Sequence, residues 1–307
     1  MSTTTTQTNN PLSRSKIKRK ASLWKKVLLV IAILLIGIAS YYIYSIVSFT
    51  KEIEKKPEEK QETLPVWTGK DRVNILLLGV DRREESDSTR SDTMLVLSLD
   101  PKTKTSQLFS IMRDTWVNIP DKGKHKINAA FALGDAPLAA KTVEEFLDIP
   151  IQYYVTTDLS GFASIVDSVG GLEMDIEKDM YYTSKADGPE YDIDLKKGLQ
   201  KLDGKQALGY VRFRGDASGD YGRSERQRNF IKALAQEVQS ANNLVKIPSI
   251  LKKAAPYIET NMSTKDMMKI ASLAYQTDAN MMQTIQLPPE EFAKTGYSED
   301  GQWIIQP

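Results

Sequence analysis

The 307-residue sequence contains no cysteine. That excludes disulfide bridges, thiolate nucleophiles and cysteine-based zinc sites. A single histidine, His125, excludes a multi-histidine metal centre and leaves little room for a Ser-His-Asp triad. No acidic residue occurs among residues 1–50, and no charge of either sign occurs between Val27 and Thr50. No arginine follows Arg228.

The uncharged run is mostly Leu, Ile, Val and Ala, and seven basic residues from Arg14 to Lys26 precede it. At about 1.5 Å per residue its length spans a bilayer core of roughly 30 Å. Trp24 at one end and Tyr41, Tyr42 and Tyr44 near the other suit an interfacial belt. A cleaved signal peptide would have a shorter apolar core and an Ala-x-Ala-like exit, which is missing. The reading is therefore a cytoplasmic basic tail at 1–26, disordered at its start, and a transmembrane helix at 27–50. An extracytoplasmic stalk follows at 51–66, charged and broken by Pro57 and Pro65, and then an extracytoplasmic domain at 67–307. The expected localisation is single-pass in a cell membrane, N-terminus inside.

Formal charge is +1 overall, but the 50 N-terminal residues carry seven cations, leaving 34 basic against 40 acidic residues beyond them. A net acidic body argues against nucleic acid as a partner. Within that body the arginines are clustered. Nine of the 12 fall at 82–90, at Arg113 and at 212–228, whereas lysine is spread throughout. Arginines often only face solvent or pair with nearby acids. Clustering of a planar, two-pronged cation points instead to one anionic ligand.

The densest stretch, Gly209 to Arg228, reads as a short strand, a loop punctuated by Gly215, Gly219 and Gly222, and a helix start. Strand alternation would put Arg212 and Arg214 on one face and Val211 and Phe213 on the other. Arg223, Ser224 and the first helical amides would meet an anion at a helix N-terminus.

Elsewhere, residues 73–80 form a continuous apolar run ending in Gly and acids, the pattern of a buried central strand. Residues 94–99 and 106–112 read as the next strands, and 153–156 and 172–176 as others. Helices are expected at 127–133, 137–147, 159–169, 227–239, near 245–255 and at 264–276, and a polar excursion at 178–200. Residues 281–287 and 303–305 read as closing strands. Strands in series with helices predict an α/β fold, an α-β-α sandwich with a central mixed sheet, preceded by the one transmembrane helix. Ligands bind such sheets at strand ends. Those ends deliver Asp81, Arg82, Arg83, Arg90, Asp92, Arg113 and Asp114. Asp81 and Asp92 are spaced to meet beside one pair of strands, and two hard carboxylates with phosphate oxygens suit Mg2+ or Mn2+.

Four motifs in order then carry a resemblance: Ile75-Leu-Leu-Leu-Gly-Val-Asp-Arg82; Arg90-Ser-Asp-Thr-Met94; Ser110-Ile-Met-Arg-Asp-Thr-Trp-Val-Asn-Ile-Pro120 with Lys126-Ile-Asn-Ala-Ala130; and residues 210–227. The chain resembles the LytR–CpsA–Psr family of membrane-anchored cell-wall ligases over about residues 70–240. The resemblance implies an enzyme that moves a glycopolymer phosphate from a polyprenyl-diphosphate carrier to peptidoglycan. It further implies Asp81 and Asp92 on Mg2+, and Arg82, Arg113, Arg212, Arg214, Arg223 and Arg226 on the diphosphate, with Arg83 and Arg90 beside them. Met112 before Arg113-Asp114 and the sequence Leu133-Gly-Asp135 depart from the family's usual pattern without touching a charged ligand. Asp220 and Asp114 are candidates for a general base, or for carboxylates that only orient an arginine. Val96, Leu97, Phe109, Phe162, Ile165, Phe230 and Leu234 are candidate walls of a lipid cavity, and core packing explains each equally well. A diphosphate hydrolase and a non-catalytic sensor of lipid-linked precursors are the competing readings.

Overall fold

The computed structural model describes residues 11–54, 64–80, 91–183, 188, 191–240, 243 and 246–307. Asp81, Arg82, Arg83 and Arg90 therefore lie outside the described residues. The chain divides into two units, residues 1–46 and residues 47–307.

The first unit holds most of a single helix, α1 (Pro11–Ile53). Its stretch Lys26–Ile53 is long and apolar enough to cross a membrane. Its last turn belongs to the second unit: Thr50 and Ile53 are buried, Thr264 donates to the Thr50 hydroxyl at 2.9 Å, and Glu54 bridges Thr260.

The second unit is built on six strands: β1 (Val73–Val80), β2 (Ser91–Asp100), β3 (Thr105–Ile111), β6 (Tyr153–Asp158), β11 (Ile258–Thr260) and β12 (Gln283–Leu287). They lie in the order β11-β6-β1-β2-β3-β12. β1 runs parallel to β6 and β12 parallel to β3, while β2 is antiparallel to both β1 and β3, and β11 to β6. The sheet is thus mixed, and the carboxyl ends of β1, β3, β6 and β12 share one edge.

Both faces are covered, which is why β1 reads as unbroken apolar sequence. Leu76, Leu78 and Val80 pack with Ala139, Ala140 and Val143 of helix α2 (Ala129–Leu147). Val73 and Ile75 face Ile270 and Leu273 of the helix Thr264–Gln276. Leu77 reaches Ile231 and Ala235 of helix α5 (Gly219–Gln239). Helix α3 (Leu159–Val169) lies beside α5 with their Phe162 and Phe230 rings 4.4 Å apart. The separate helices expected at 127–133 and 137–147 are the two parts of α2, divided where Gly134 and Asp135 leave helical dihedrals. The polar excursion is a hairpin, β8 (Met180–Tyr182) with β9 (Ile193–Leu195), and β10 (Gly198–Leu202) returns to β7 (Leu172–Ile176). The C-terminal strands appear as β12 and as β14 (Trp303–Gln306), the latter paired with β13 (Lys294–Tyr297).

Residues 209–214, expected as a strand, instead end a helix, α4 (Gly204–Arg212). The signal lies upstream, where Asp203 and Gln206 form a reciprocal capping box. The alternation of Val211, Arg212, Phe213 and Arg214 coincides with a helix end and the turn that leaves it. Helix α5 likewise begins at Gly219, eight residues ahead of the expected 227. Arg223 and Ser224 therefore lie in its second turn, beyond the orphan amides. Gly222 marks a close approach rather than a break: a Cβ there would stand 1.9 Å from the Ser218 hydroxyl.

Candidate active site

Three chain segments meet at the shared sheet edge. β3 delivers Arg113 and Asp114 just past its end. β2 begins with a bulge: Gly79 pairs with Thr93 but Val80 pairs with Ser91, so Asp92 is the extra residue. Bulges re-aim side chains, and here the Asp92 carboxylate accepts from Arg113 Nη1 at 2.6 Å. The turn between α4 and α5 brings Arg214, and the opening turns of α5 bring Asp220 and Arg223.

Asp220 organises the group. Its carboxylate lies 3.3 Å from Arg113 Nε, 3.2 Å from Arg214 Nε and 3.4 Å from Arg223 Nη2. Asp114 stands 3.4 Å from Arg113 Nε and takes Lys126 Nζ at 2.8 Å. Burial works against the Arg113 cation, but Asp220, Asp92 and Asp114 outweigh it and hold its pKa above the ordinary value. Arg214 is shifted the other way, first by burial and then by the charge of Arg113. Like charges pressed together in this manner describe a site built for an anion. Among the described residues, five cations (Arg113, Arg212, Arg214, Arg223, Lys126) face four carboxylates (Asp92, Asp114, Asp158, Asp220), an excess of one positive charge. The Nε of Arg223 is buried without a hydrogen-bond partner, a donor awaiting an acceptor.

Arg113, Arg212, Arg214, Arg223 and Asp92 line the mouth of a cavity of about 610 Å3. Its interior is apolar, walled by Leu77 and Leu95 of the sheet, Phe162 and Ile165 of α3, and Phe230 and Leu234 of α5. A volume of this size lies within the range of about 300–1,000 Å3 usual for ligand sites. Of the seven expected wall residues, Phe162, Ile165, Phe230 and Leu234 line it. Val96 and Phe109 pack instead into the core against α2, on the opposite sheet face, and Leu97 packs with the other core clusters. Strand parity decides this for Val96, since β2 shows alternate residues to opposite faces, whereas Leu97 shares the face of Leu95 but lies farther along the strand. At the mouth the Arg212 guanidinium lies 4.6 Å over the Tyr191 ring. Tyr191 sits in the polar excursion, where nothing in the sequence marks it for this contact.

Arg226 is buried away from the cavity. It donates to the Phe213 carbonyl at 2.6 Å, pairs with Glu177 at 3.0 Å and Asp216 at 3.3 Å, and thereby ties the turn before α5 to that helix. Asp216 also accepts from the Ser218 hydroxyl and from Lys178 at 2.9 Å. The Ser218 hydrogen bond, with these cations, holds the Asp216 carboxyl well below the ordinary carboxylate range despite burial. A depressed native pKa contributes stability that is complete above the unfolded value near 3.9 and fades as pH falls through the native one. Asp216→Asn is therefore expected to lower Tm at neutral pH, with the gap to the wild type closing below about pH 4. A gap that stays constant into acid would assign the residue to packing alone.

The sequence matches the LytR_cpsA_psr family over residues 40–306. The chain belongs to the LytR–CpsA–Psr family. Among its relatives, the polyisoprenyl-teichoic acid–peptidoglycan teichoic acid transferase TagU of Enterococcus faecalis is 34% identical over 291 residues, covering 94% of this chain and 91% of that one. The LytR–CpsA–Psr fold is also seen in the crystal structure of Bacillus subtilis TagV, at TM-score 0.66 and 32% identity over 78% of this chain and 91% of that one. TagT bound to LI-WTA is similar at TM-score 0.63 and 29% identity, covering 83% of this chain and 92% of the other.

Proposed function

We propose that this LytR–CpsA–Psr protein is a phosphotransferase that moves a glycopolymer phosphate from a polyprenyl-diphosphate carrier to peptidoglycan, releasing polyprenyl phosphate. One observation carries the reading: an apolar cavity opens directly onto an arginine cluster with excess positive charge. A prenyl chain fits the first and a diphosphate the second, and relatives are named as transferases for polyisoprenyl-linked teichoic acid. The membrane-length helix supports anchoring beside a lipid-borne substrate, with the N-terminus inside as the Lys/Arg flank predicts.

In the reaction, a sugar hydroxyl of peptidoglycan attacks the glycopolymer-side phosphorus. A new P–O bond forms, the bond to the bridging oxygen breaks, and that oxygen leaves with its electron pair as polyprenyl phosphate. The hydroxyl proton passes to solvent. Positioning and charge neutralisation dominate such a step. Arg113 and Arg214 offset charge on the phosphates, and Arg223 offers its unpaired Nε. Asp220 and Asp114 are committed to cations, which supports an orienting role over that of a general base. Among the described residues no group of three metal-ligating side chains converges. Asp92 nonetheless suits a hard cation, because it is a half-exposed carboxylate at the mouth and Mg2+ is commonly held by one or two carboxylates plus substrate phosphates. Asp92, with Asp81 outside the described residues, would hold Mg2+ or Mn2+, which would share the diphosphate charge.

The test incubates the full-length protein in detergent with a polyprenyl-diphosphate oligosaccharide, Mg2+ and soluble peptidoglycan. Polyprenyl phosphate release with sugar phosphate bound to peptidoglycan is the expected result. Release with sugar phosphate free in water would favour a hydrolase, and tight binding without release a sensor.

A further inference from the structure

Helix α5 presents two lined faces. Arg223, Gln227, Phe230, Ile231 and Leu234 border the apolar cavity. Ser218, Tyr221, Gly222, Glu225 and Arg228 border a second cavity of about 460 Å3, closed on its far side by residues 284–286 of β12 and by 289–291. β12 runs parallel to β3, so this second space lies at the same sheet edge as Arg113. Tyr221 directly follows Asp220 in the first turn of α5, so the arginine cluster and the second cavity are one residue apart along the helix.

Its walls are about equally polar and apolar, and the polar part is partly fixed. Arg228 donates to the Gln286 side-chain carbonyl and, at 3.1 Å, to the Ser224 hydroxyl, while the Gln286 amide donates to the Ser110 carbonyl at 3.3 Å. The Tyr221 hydroxyl is buried with no hydrogen-bond partner. Buried hydroxyls are normally paired, so one left open beside a cavity calls for a ligand group.

We propose that this second cavity is the acceptor subsite, taking a hydroxyl- and amide-bearing sugar of the peptidoglycan strand that hydrogen-bonds to Tyr221. The inference rests on the transferase reading. In-line displacement requires the attacking oxygen to approach phosphorus opposite the leaving polyprenyl phosphate. The leaving group belongs with the apolar cavity, and the second cavity lies across α5 from it. Charge separates the acceptor from the phosphate-bearing donor polymer. Glu225, Glu290 and Glu291 face a single Arg228, a setting that repels phosphate and accepts neutral hydroxyls.

The test uses the full-length protein in detergent, a synthetic polyprenyl-diphosphate disaccharide donor and soluble, un-cross-linked peptidoglycan oligomers. Tyr221→Phe removes one hydroxyl, and Glu225→Trp fills the space from an exposed position. Both are expected to raise the KM for the oligomer, Tyr221→Phe by about tenfold, the effect of one lost hydrogen bond. Donor KM and release of polyprenyl phosphate without acceptor stay unchanged. Oligomer binding measured with no donor present weakens in parallel. Acceptor KM within twofold of wild type in both variants, or a rise in donor KM instead, overturns the assignment. Because the binding measurement needs no turnover, a wild type that binds the oligomer here but never transfers would sink the transferase reading and leave the subsite standing.

Discussion

Arg113→Ala is expected to lower the transfer rate about 10^2- to 10^3-fold while the protein still binds the polyprenyl-diphosphate donor. Arg113 touches three carboxylates, Asp92, Asp114 and Asp220, and so joins the segment after β3 to the start of β2 and to the first turn of α5. Its removal takes away a cation at the phosphates and also releases Asp92 from its 2.6 Å contact. The lipid chain is held by the apolar walls, so donor affinity survives. Arg113→Lys should recover little, since an ammonium cannot hold Asp92 with one arm and Asp220 with another. Single-turnover release of polyprenyl phosphate, set beside donor binding by equilibrium titration, checks both halves. Unchanged turnover in Arg113→Ala would remove the residue from the mechanism.

The second large effect belongs to Asp220. Asp220→Asn leaves Arg113, Arg214 and Arg223 facing one another without their shared carboxylate. Arg223 is 6% exposed and cannot turn to water. Stripping the counter-charge from a buried cation costs on the order of 3 kcal/mol, which in a domain of this size lowers Tm by roughly 6–12 °C. Turnover falls because the forks lose their aim, and a substrate diphosphate restores part of the lost Tm by replacing the missing negative charge. A general base behaves otherwise: turnover would collapse with Tm intact and the acid limb of the pH–rate profile would vanish. The two outcomes assign the residue.

The sequence alone showed the layers, the positions of most strands along the chain and the clustering of cations, because these are written in local terms. Val73 to Val80 is unbroken apolar sequence, and arginine rather than lysine gathers at the strand ends. It misjudged residues 209–214 because a two-residue alternation over a few positions also fits the end of a helix, and the capping box at Asp203 and Gln206 lay just outside the stretch being weighed. It took Gly219 and Gly222 as loop, where a left-handed backbone at Gly219 and close packing of Gly222 on Ser218 are what ask for glycine at a helix start. Arg226 looked like its neighbours, and only the fold separates it from them. One further turn along α5 aims a guanidinium at Glu177 and Asp216 instead of the cavity. Asp220 as a shared partner, and Tyr191 under Arg212, depend on contacts between distant segments that no local pattern encodes.

The last turn of α1 has a consequence for the domain it enters. β11 is the outermost strand of the sheet, and its free side meets Glu54, just past the end of that helix, through Thr260. An uncovered outer strand offers a row of unpaired amides and carbonyls to any other extended chain. The last turn of the helix, with Glu54, thus covers part of a sticky border, and Thr50 with Ile53 fastens it down. A soluble version of the domain cut downstream of Glu54 would keep its whole site and lose that cover, so solubility, rather than chemistry, is what the helix tail protects.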